Sequence, residues 1–272
     1  MKLTSTQNPR VKQIRKLMRL KKERRRQALF IVEGAQETAM AVESGWNIEA
    51  LLFDPDEPLT STALKVVQET PAAARMPVNR KIAAYLSDRP NAPELIAVVE
   101  CRRLQPPQTA DVGSFFLLLD HPRDPGNVGS IVRSADAMGI DAVGLSGDAV
   151  DIYAPKTTRA AMGSLFCVPT FHLTNADAAR RWIRKLKSGQ PDLRVVGTDP
   201  RAAKPVDEID WTVPAVAVIG NERKGMSAEL AEMCDAAASI PMRGSAESLN
   251  SAVSASIVMY EAQRQRLRAT SS

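Results

Sequence analysis

The sequence predicts an α/β protein in two parts: a small N-terminal α/β domain and a larger C-terminal domain with an open parallel sheet. Three observations carry this. Strand-like apolar runs alternate with amphipathic helical stretches along the whole chain. Ser114-Phe-Phe-Leu-Leu-Leu119 has the length and uniform apolarity of a fully buried parallel strand. Residues 102–112, with Pro106-Pro107, are poor in apolar side chains and separate the two parts. The expected domains are residues 1–105 and 114–272, with 106–113 as linker.

In the first part, Val11, Ile14, Leu17, Met18 and Leu20 recur at helical spacing after the cap-like pair Asn8-Pro9. From Arg10 to Arg26 there are ten Lys or Arg against one acid, Glu23. Such a cluster is the electrostatic footprint of nucleic-acid binding, or else a solvated helix face. Strands are expected at 28–32, 48–53 and 95–99, with helices at 35–44, 61–69 and 80–86. The sheet should be mixed or parallel.

In the second part, the strand at 114–119 leads through a proline-containing loop into a helix at 127–138, with Asn127 as its cap. Strands follow at 141–145, 165–168, 193–197, 213–219 and 237–240, and helices at 155–162, 176–187, 227–233 and 248–266. This is a doubly wound domain of five or six strands. Ligands bind such sheets beyond the C-terminal strand ends. Three loops there are chemically rich: residues 120–133, 220–225 and 240–250. The last could be a plain strand-to-helix connection with Ser248 as cap, or a small-residue loop wrapping a flat polar ligand.

Composition narrows the chemistry. The chain has 272 residues, 44% of them hydrophobic, with a net charge of +5. No run of about 18 apolar residues occurs, and no signal-peptide pattern opens the chain. Cys101, Cys167 and Cys234 are far apart and odd in number, which fits a reducing cytoplasm rather than a disulfide framework or a zinc site. Asp124-Pro-Gly-Asn-Val-Gly129 lacks the spacing of a dinucleotide fingerprint. Gly220-Asn-Glu-Arg-Lys-Gly-Met-Ser227 has Met226 where a phosphate-binding loop needs lysine.

Asn127-x-Gly129-x-x-x-Arg133-x-x-Asp136-Ala137, Ile219-Gly-Asn-Glu-Arg-Lys-Gly225 and Ile240-Pro-Met-x-Gly244 with Ser248-Leu-Asn250 together resemble the three motifs of the SpoU (TrmH-type) RNA ribose 2′-O-methyltransferases. The resemblance covers about residues 115–266. The N-terminal part resembles the ribosomal-protein-like substrate-binding domain of that family. Asp151-Ile-Tyr-x-Pro-Lys156 and Gly163-Ser-Leu-Phe166 are most similar to the avilamycin-resistance branch, which modifies large-subunit (23S) ribosomal RNA.

The resemblance implies a SPOUT-like fold with a deep C-terminal trefoil knot, a homodimer, S-adenosyl-L-methionine as methyl donor, and no metal. It implies catalytic roles for Asn127, Arg133, Glu222, Ser248 and Asn250. The cofactor is expected against Ile219, Gly220, Ile240, Met242, Ser248, Leu249 and Asn250. RNA is expected on the basic helix at Arg10, Lys12, Arg24, Arg25 and Arg26. Arg133 would activate the 2′-hydroxyl or clamp the adjacent phosphate; a guanidinium rarely gives up its proton. A non-catalytic RNA-binding protein on the same fold and a tRNA ribose methyltransferase are the alternatives.

Overall fold

The computed structural model describes residues 2–270, which divide into two compact units. Among them, one comprises the residues up to Arg102 with Asp151–Cys167, the other Arg103–Val150 with the residues from Val168 onward. Asp151–Cys167 thus leaves the stretch expected to form the C-terminal domain and packs with the first unit.

In the first unit, Asn8 caps α1 (Pro9–Arg19) by accepting the Arg10 N–H through its side chain. Val11, Ile14, Leu17 and Met18 are buried as their spacing requires. The basic segment is two helices rather than one. The chain becomes extended at Leu20, and α2 (Lys21–Gln27) follows. The carbonyls of Leu17 and Met18 at the end of α1 are taken by the Arg24 guanidinium. Then come β1 (Leu29–Glu33), α3 (Ala35–Glu43), β2 (Ile48–Phe53), α4 (Ser61–Glu69), β3 (Arg75–Pro77), α5 (Arg80–Leu86) and β4 (Leu95–Glu100). The sheet order is β1-β4-β2-β3. It is mixed: β4 pairs antiparallel with β1 and β2, and β3 is parallel to β2. One core joins α1 and α5 to this sheet through Ile14, Leu17, Ile31, Leu52, Ile82, Leu86 and Ile96.

The second unit begins with β5 (Phe115–Asp120), α6 (Pro125–Ala137) and β6 (Ala142–Ser146). The cap of α6 is Asp124, whose carboxylate accepts the Asn127 N–H at 2.9 Å, so Asn127 lies inside the first turn. Pro125 occupies the first helical position, where its missing N–H costs nothing. The chain then crosses into the first unit for α7 (Pro155–Ala161). The strand expected at 165–168 is instead a short 3₁₀ turn, Ser164–Phe166. Phe166 joins an aromatic cluster with Phe30 and Trp46, so its apolar surface is buried without a strand partner.

The strand itself comes later, as β7 (Thr170–Leu173). After it come α8 (Ala176–Gly189), β8 (Arg194–Thr198), β9 (Lys204–Pro205), β10 (Ala215–Ile219), α9 (Ala228–Ala231), β11 (Ala236–Ser239) and α10 (Ser251–Thr270). The sheet has seven strands in the order β7-β6-β5-β10-β8-β11-β9, all parallel. The additional strand, β9, is a two-residue edge ending in proline, with almost no periodicity to betray it.

Side chains alternate across β5 and β10. Phe116, Leu118, Val216 and Val218 pack with Trp182, Ile183 and Leu186 of α8. On α10, packed against α6 and β10, Ala255, Val258, Met259 and Ala262 are buried. The C-terminal ends of β5, β10, β8 and β11 therefore lie side by side, and the loops after them form one edge. Among the described residues no helix is long and apolar enough to cross a membrane.

Candidate active site

Four loops meet at that edge. β10 delivers Ile219 and Gly220 and then turns sharply. A Cβ on Gly220 would lie 2.5 Å from the Met226 nitrogen, so the strand end and the returning loop touch backbone to backbone. β11 delivers Ile240, and residues 241–250 run from it to α10. The helix cap there is Asn250, not Ser248: its side-chain oxygen accepts the Ala252 N–H at 2.8 Å. Ser248 is thereby freed to line the cleft between these loops.

That cleft has a volume of about 760 Å³ and is walled by Ile219, Gly220, Met226, Ile240, Met242 and Leu249. Its size and mixed lining suit a small organic molecule with one apolar and one polar part. Six of the seven expected cofactor residues line it. Asn250 does not; it lies with Asn127 between α6 and α10, where it joins a hydrogen-bonded chain.

In that chain, Asn250 Nδ2 donates to Asn127 Oδ1 at 3.0 Å. Asn127 Nδ2 donates to Glu222 Oε1 at 3.0 Å. Ser251 Oγ donates to the same Glu222 oxygen at 2.7 Å. Burial would raise the Glu222 carboxyl, but hydrogen bonds from Asn127, Ser251 and its own backbone outweigh it and hold the group below the usual glutamate range. Glu222 is thus a fixed anion that orients the Asn127 amide and the Ser251 hydroxyl and, through Asn127, the Asn250 amide. Sequence alone marks Ser251 only as a small residue next to Asn250. Its hydroxyl is in fact a direct partner of the central carboxylate.

Arg133 stands apart. It is exposed on α6, outside both the cleft and the Asn127–Glu222 chain. Beside it, Ser134 hydrogen-bonds Ser256 of α10 at 2.8 Å. Asn127, Ser130 and Met138 with Val253, Ile257 and Tyr260 line an open apolar groove between the two helices.

Asp120 is a second residue that sequence reasoning does not single out. It is buried at 2% exposure; one oxygen accepts the Ser227 N–H and the other faces His121 Nδ1, both at 2.6 Å. This carboxylate pins the far end of the loop that follows Gly220. Thr198 at the end of β8 and Asp199 and Arg201 after it complete the cleft wall. The rule that ligands lie beyond the C-terminal strand ends points to them, but no motif does.

The basic residues divide in two. Lys12 and Arg25 are exposed, and Arg26 is exposed but paired with Glu23 at 2.7 Å. Arg10 is half-buried and paired with Glu49. Arg24 is 5% exposed, bonded to Asp151 through Nε at 2.8 Å as well as to the two α1 carbonyls. Expected on the RNA face, it is instead a structural ion pair, because its position on α2 points toward the core.

A family model described as SpoU rRNA Methylase matches residues 114–260, and one for the MRM3-like substrate binding domain matches residues 8–97. A 23S rRNA (uridine(2479)-2′-O)-methyltransferase from Streptomyces viridochromogenes is 35% identical, over 97% of this chain and 92% of its own. A 23S rRNA (guanosine(2553)-2′-O)-methyltransferase from Bacillus subtilis is 31% identical, over 95% of this chain and 97% of its own. Among solved structures, the SpoU methyltransferase AviRb from Streptomyces viridochromogenes, in complex with AdoMet, superposes with a TM-score of 0.89 at 34% identity, covering 96% of this chain and 99% of that one. An AdoMet-bound rRNA methyltransferase from Sinorhizobium meliloti gives 0.86 at 33% identity, covering 97% of each chain. With three motifs gathered at one sheet edge and relatives aligned along nearly its whole length, the chain belongs to the SpoU rRNA methylase family.

Proposed function

We propose that the protein methylates a ribose 2′-hydroxyl of large-subunit ribosomal RNA, with S-adenosyl-L-methionine as donor. The observation that carries this reading is the Glu222–Asn127–Asn250 chain lying directly beside the cleft. Ile219, Ile240, Met242 and Leu249 offer apolar walls to an adenosyl group, and the backbone groups between them can read its polar edge. The residues present fit the cofactor, which supplies an electrophilic methyl on a positively charged sulfur.

What remains for the chain is alignment and proton handling. Asn127 and Asn250, locked by Glu222 and Ser251, give the acceptor side a fixed set of amides. Arg133, outside the cleft of its own protomer, would supply positive charge for the developing alkoxide or its neighbouring phosphate at the site of a second copy. Lys12, Lys16, Arg19, Lys22 and Arg25, all exposed on α1 and α2, offer phosphate contacts in the first unit.

The groove along α6 and α10 supports a homodimer, and Arg133 on the same helix would then stand at the contact with a second copy. The trefoil knot expected of the fold accords with residues 220–227 and 240–250 lining one cleft. Three free thiols and a ribosomal RNA substrate support a cytoplasmic location.

The test is transfer of labelled methyl groups to unmodified large-subunit RNA, with the blocked 2′-hydroxyl mapped by resistance to alkaline cleavage. Cofactor binding without any transfer to that RNA would refute the substrate. Transfer to tRNA instead would reassign it.

A further inference from the structure

The turn that carries Glu222 presents two cations that the chain itself leaves unused. Residues 221–225 fold back on themselves, with the Asn221 and Gly225 N–H groups each donating to the other's carbonyl at 2.9 Å. The Asn221 side-chain oxygen accepts the N–H of Arg223 at 3.0 Å and of Lys224 at 3.2 Å. Its amide nitrogen donates to the His121 carbonyl at 2.8 Å, anchoring the turn to the end of β5. Gly225 closes it at φ +70°, which only glycine adopts without strain. The tip is therefore rigid, and Arg223 and Lys224 stand on it exposed, at the wall of the cleft.

Neither side chain has an ion pair or side-chain hydrogen bond among the described residues. Arg201, the other cation of this wall, is by contrast neutralised by Asp199 at 3.3 Å. The Glu222 carboxylate next to the pair points inward, to Asn127 and Ser251. Two adjacent positive charges held on a stiff turn create a local positive potential that favours an anion from outside the chain. S-adenosyl-L-methionine is a poor candidate. It carries a sulfonium and an ammonium against one carboxylate, so further positive charge brings it no net attraction. A polyanion gains from both.

We propose that Arg223 and Lys224 form a phosphate grip that holds the RNA backbone beside the target ribose. Arg223 can take two oxygens of one phosphate through its planar fork, while Lys224 acts as a point charge on the same or the next one. Because the turn is already ordered, little conformational freedom is lost on binding, and the ribose is presented in register with the Glu222 chain. This rests on the RNA methyl-transfer reading above.

The experiment compares wild type with Arg223→Ala/Lys224→Ala and with Arg223→Lys. The probe is an in vitro transcript of large-subunit ribosomal RNA. Three quantities are read: RNA affinity at several salt concentrations, cofactor affinity by calorimetry, and KM for RNA. The double variant should have a shallower dependence of log affinity on log salt, by about 0.7–0.9 for each phosphate it no longer neutralises. Its KM for RNA should rise while cofactor affinity stays unchanged, and Arg223→Lys should recover part of the loss. An unchanged salt slope overturns the proposal. So does a loss of cofactor affinity with the RNA slope intact, which would put the pair on the cofactor carboxylate. Wild type that neither binds nor methylates the transcript would remove the underlying reading itself, a separate and recognisable failure.

Discussion

Arg24 and Arg25 are neighbours in sequence and should fail in opposite ways when replaced. Arg24 is buried, with its guanidinium on Asp151 and on the Leu17 and Met18 carbonyls. Arg24→Ala would strand the Asp151 carboxylate, whose side chain is only 13% exposed, and uncover two carbonyls at the end of α1. Removing one partner of a buried pair costs about 3–5 kcal/mol; the residual exposure of Asp151 sets the expectation near the lower end, about 3 kcal/mol. With a urea dependence of about 1–3 kcal/mol per molar, the midpoint should fall by about 1–3 M.

Arg25 is exposed and has no ion pair among the described residues. Arg25→Ala should change stability by no more than about 0.5 kcal/mol, yet reduce the salt slope of RNA binding by about 0.7–0.9. The assays are urea unfolding and RNA titration at several salt concentrations, run on both variants. Replacing the pair together, Arg24→Met with Asp151→Asn, should restore much of the lost stability because no charge is then left buried. An Arg24→Ala protein as stable as wild type, but with a flattened salt slope, would refute the structural assignment.

Glu222→Gln keeps an oxygen for Asn127 and Ser251 but loses the charge. The folded pKa of Glu222 lies below its unfolded value of about 4.3, so its stabilisation is complete above that pH and is lost as pH falls through the folded pKa. The variant should flatten that acid limb in unfolding curves recorded over about pH 3–6. Gly220→Ala drives a Cβ to 2.5 Å from the Met226 nitrogen and should weaken cofactor binding by about tenfold or more in calorimetry. Arg266→Met removes donors to the carbonyls of Trp211, Val213, Gly113 and Ser114, and should cost about 2 kcal/mol, visible as a fall in Tm of about 4–8 °C. Tyr260→Glu places a charge in the groove of α6 and α10 and should shift the proposed homodimer toward monomer in sedimentation velocity.

Much of the architecture was legible because it rests on local rules. Val11, Ile14, Leu17 and Met18 mark a helix face by their spacing, and Phe115 to Leu119 can only be a strand buried on both sides. The site was legible for a different reason: Asn127, Glu222 and Asn250 belong to motifs, and they meet through hydrogen bonds. What escaped was decided at long range. Whether Asp124 or Asn127 caps α6 depends on one turn of backbone, and both residues are good caps. Nothing local distinguishes Arg24 from Arg25, since the difference lies in Asp151, far along the chain. Phe166 is apolar enough for a strand, and only the rings of Phe30 and Trp46 explain why it is not in one. Ser251 is chemically silent until the loop after β10 brings Glu222 to it.

The chain enters the first unit twice, and this governs how such proteins can be taken apart or recombined. Asp151–Cys167 contributes Asp151 to Arg24, Arg159 to the buried Glu33, and Tyr153 to Phe30 at a ring separation of 4.5 Å. A fragment ending at residue 105 keeps Arg24 and Glu33 but discards the groups that neutralise them. It should be less stable than the complete unit, with Arg24 and Glu33 left without these partners. Exchange of the first unit between relatives therefore requires splices at three places, near residues 102, 150 and 167, not one. A shuffled gene with a single crossover would inherit mismatched halves of two ion pairs inside the first unit, so recombination is expected to keep residues 1–102 and 151–167 together.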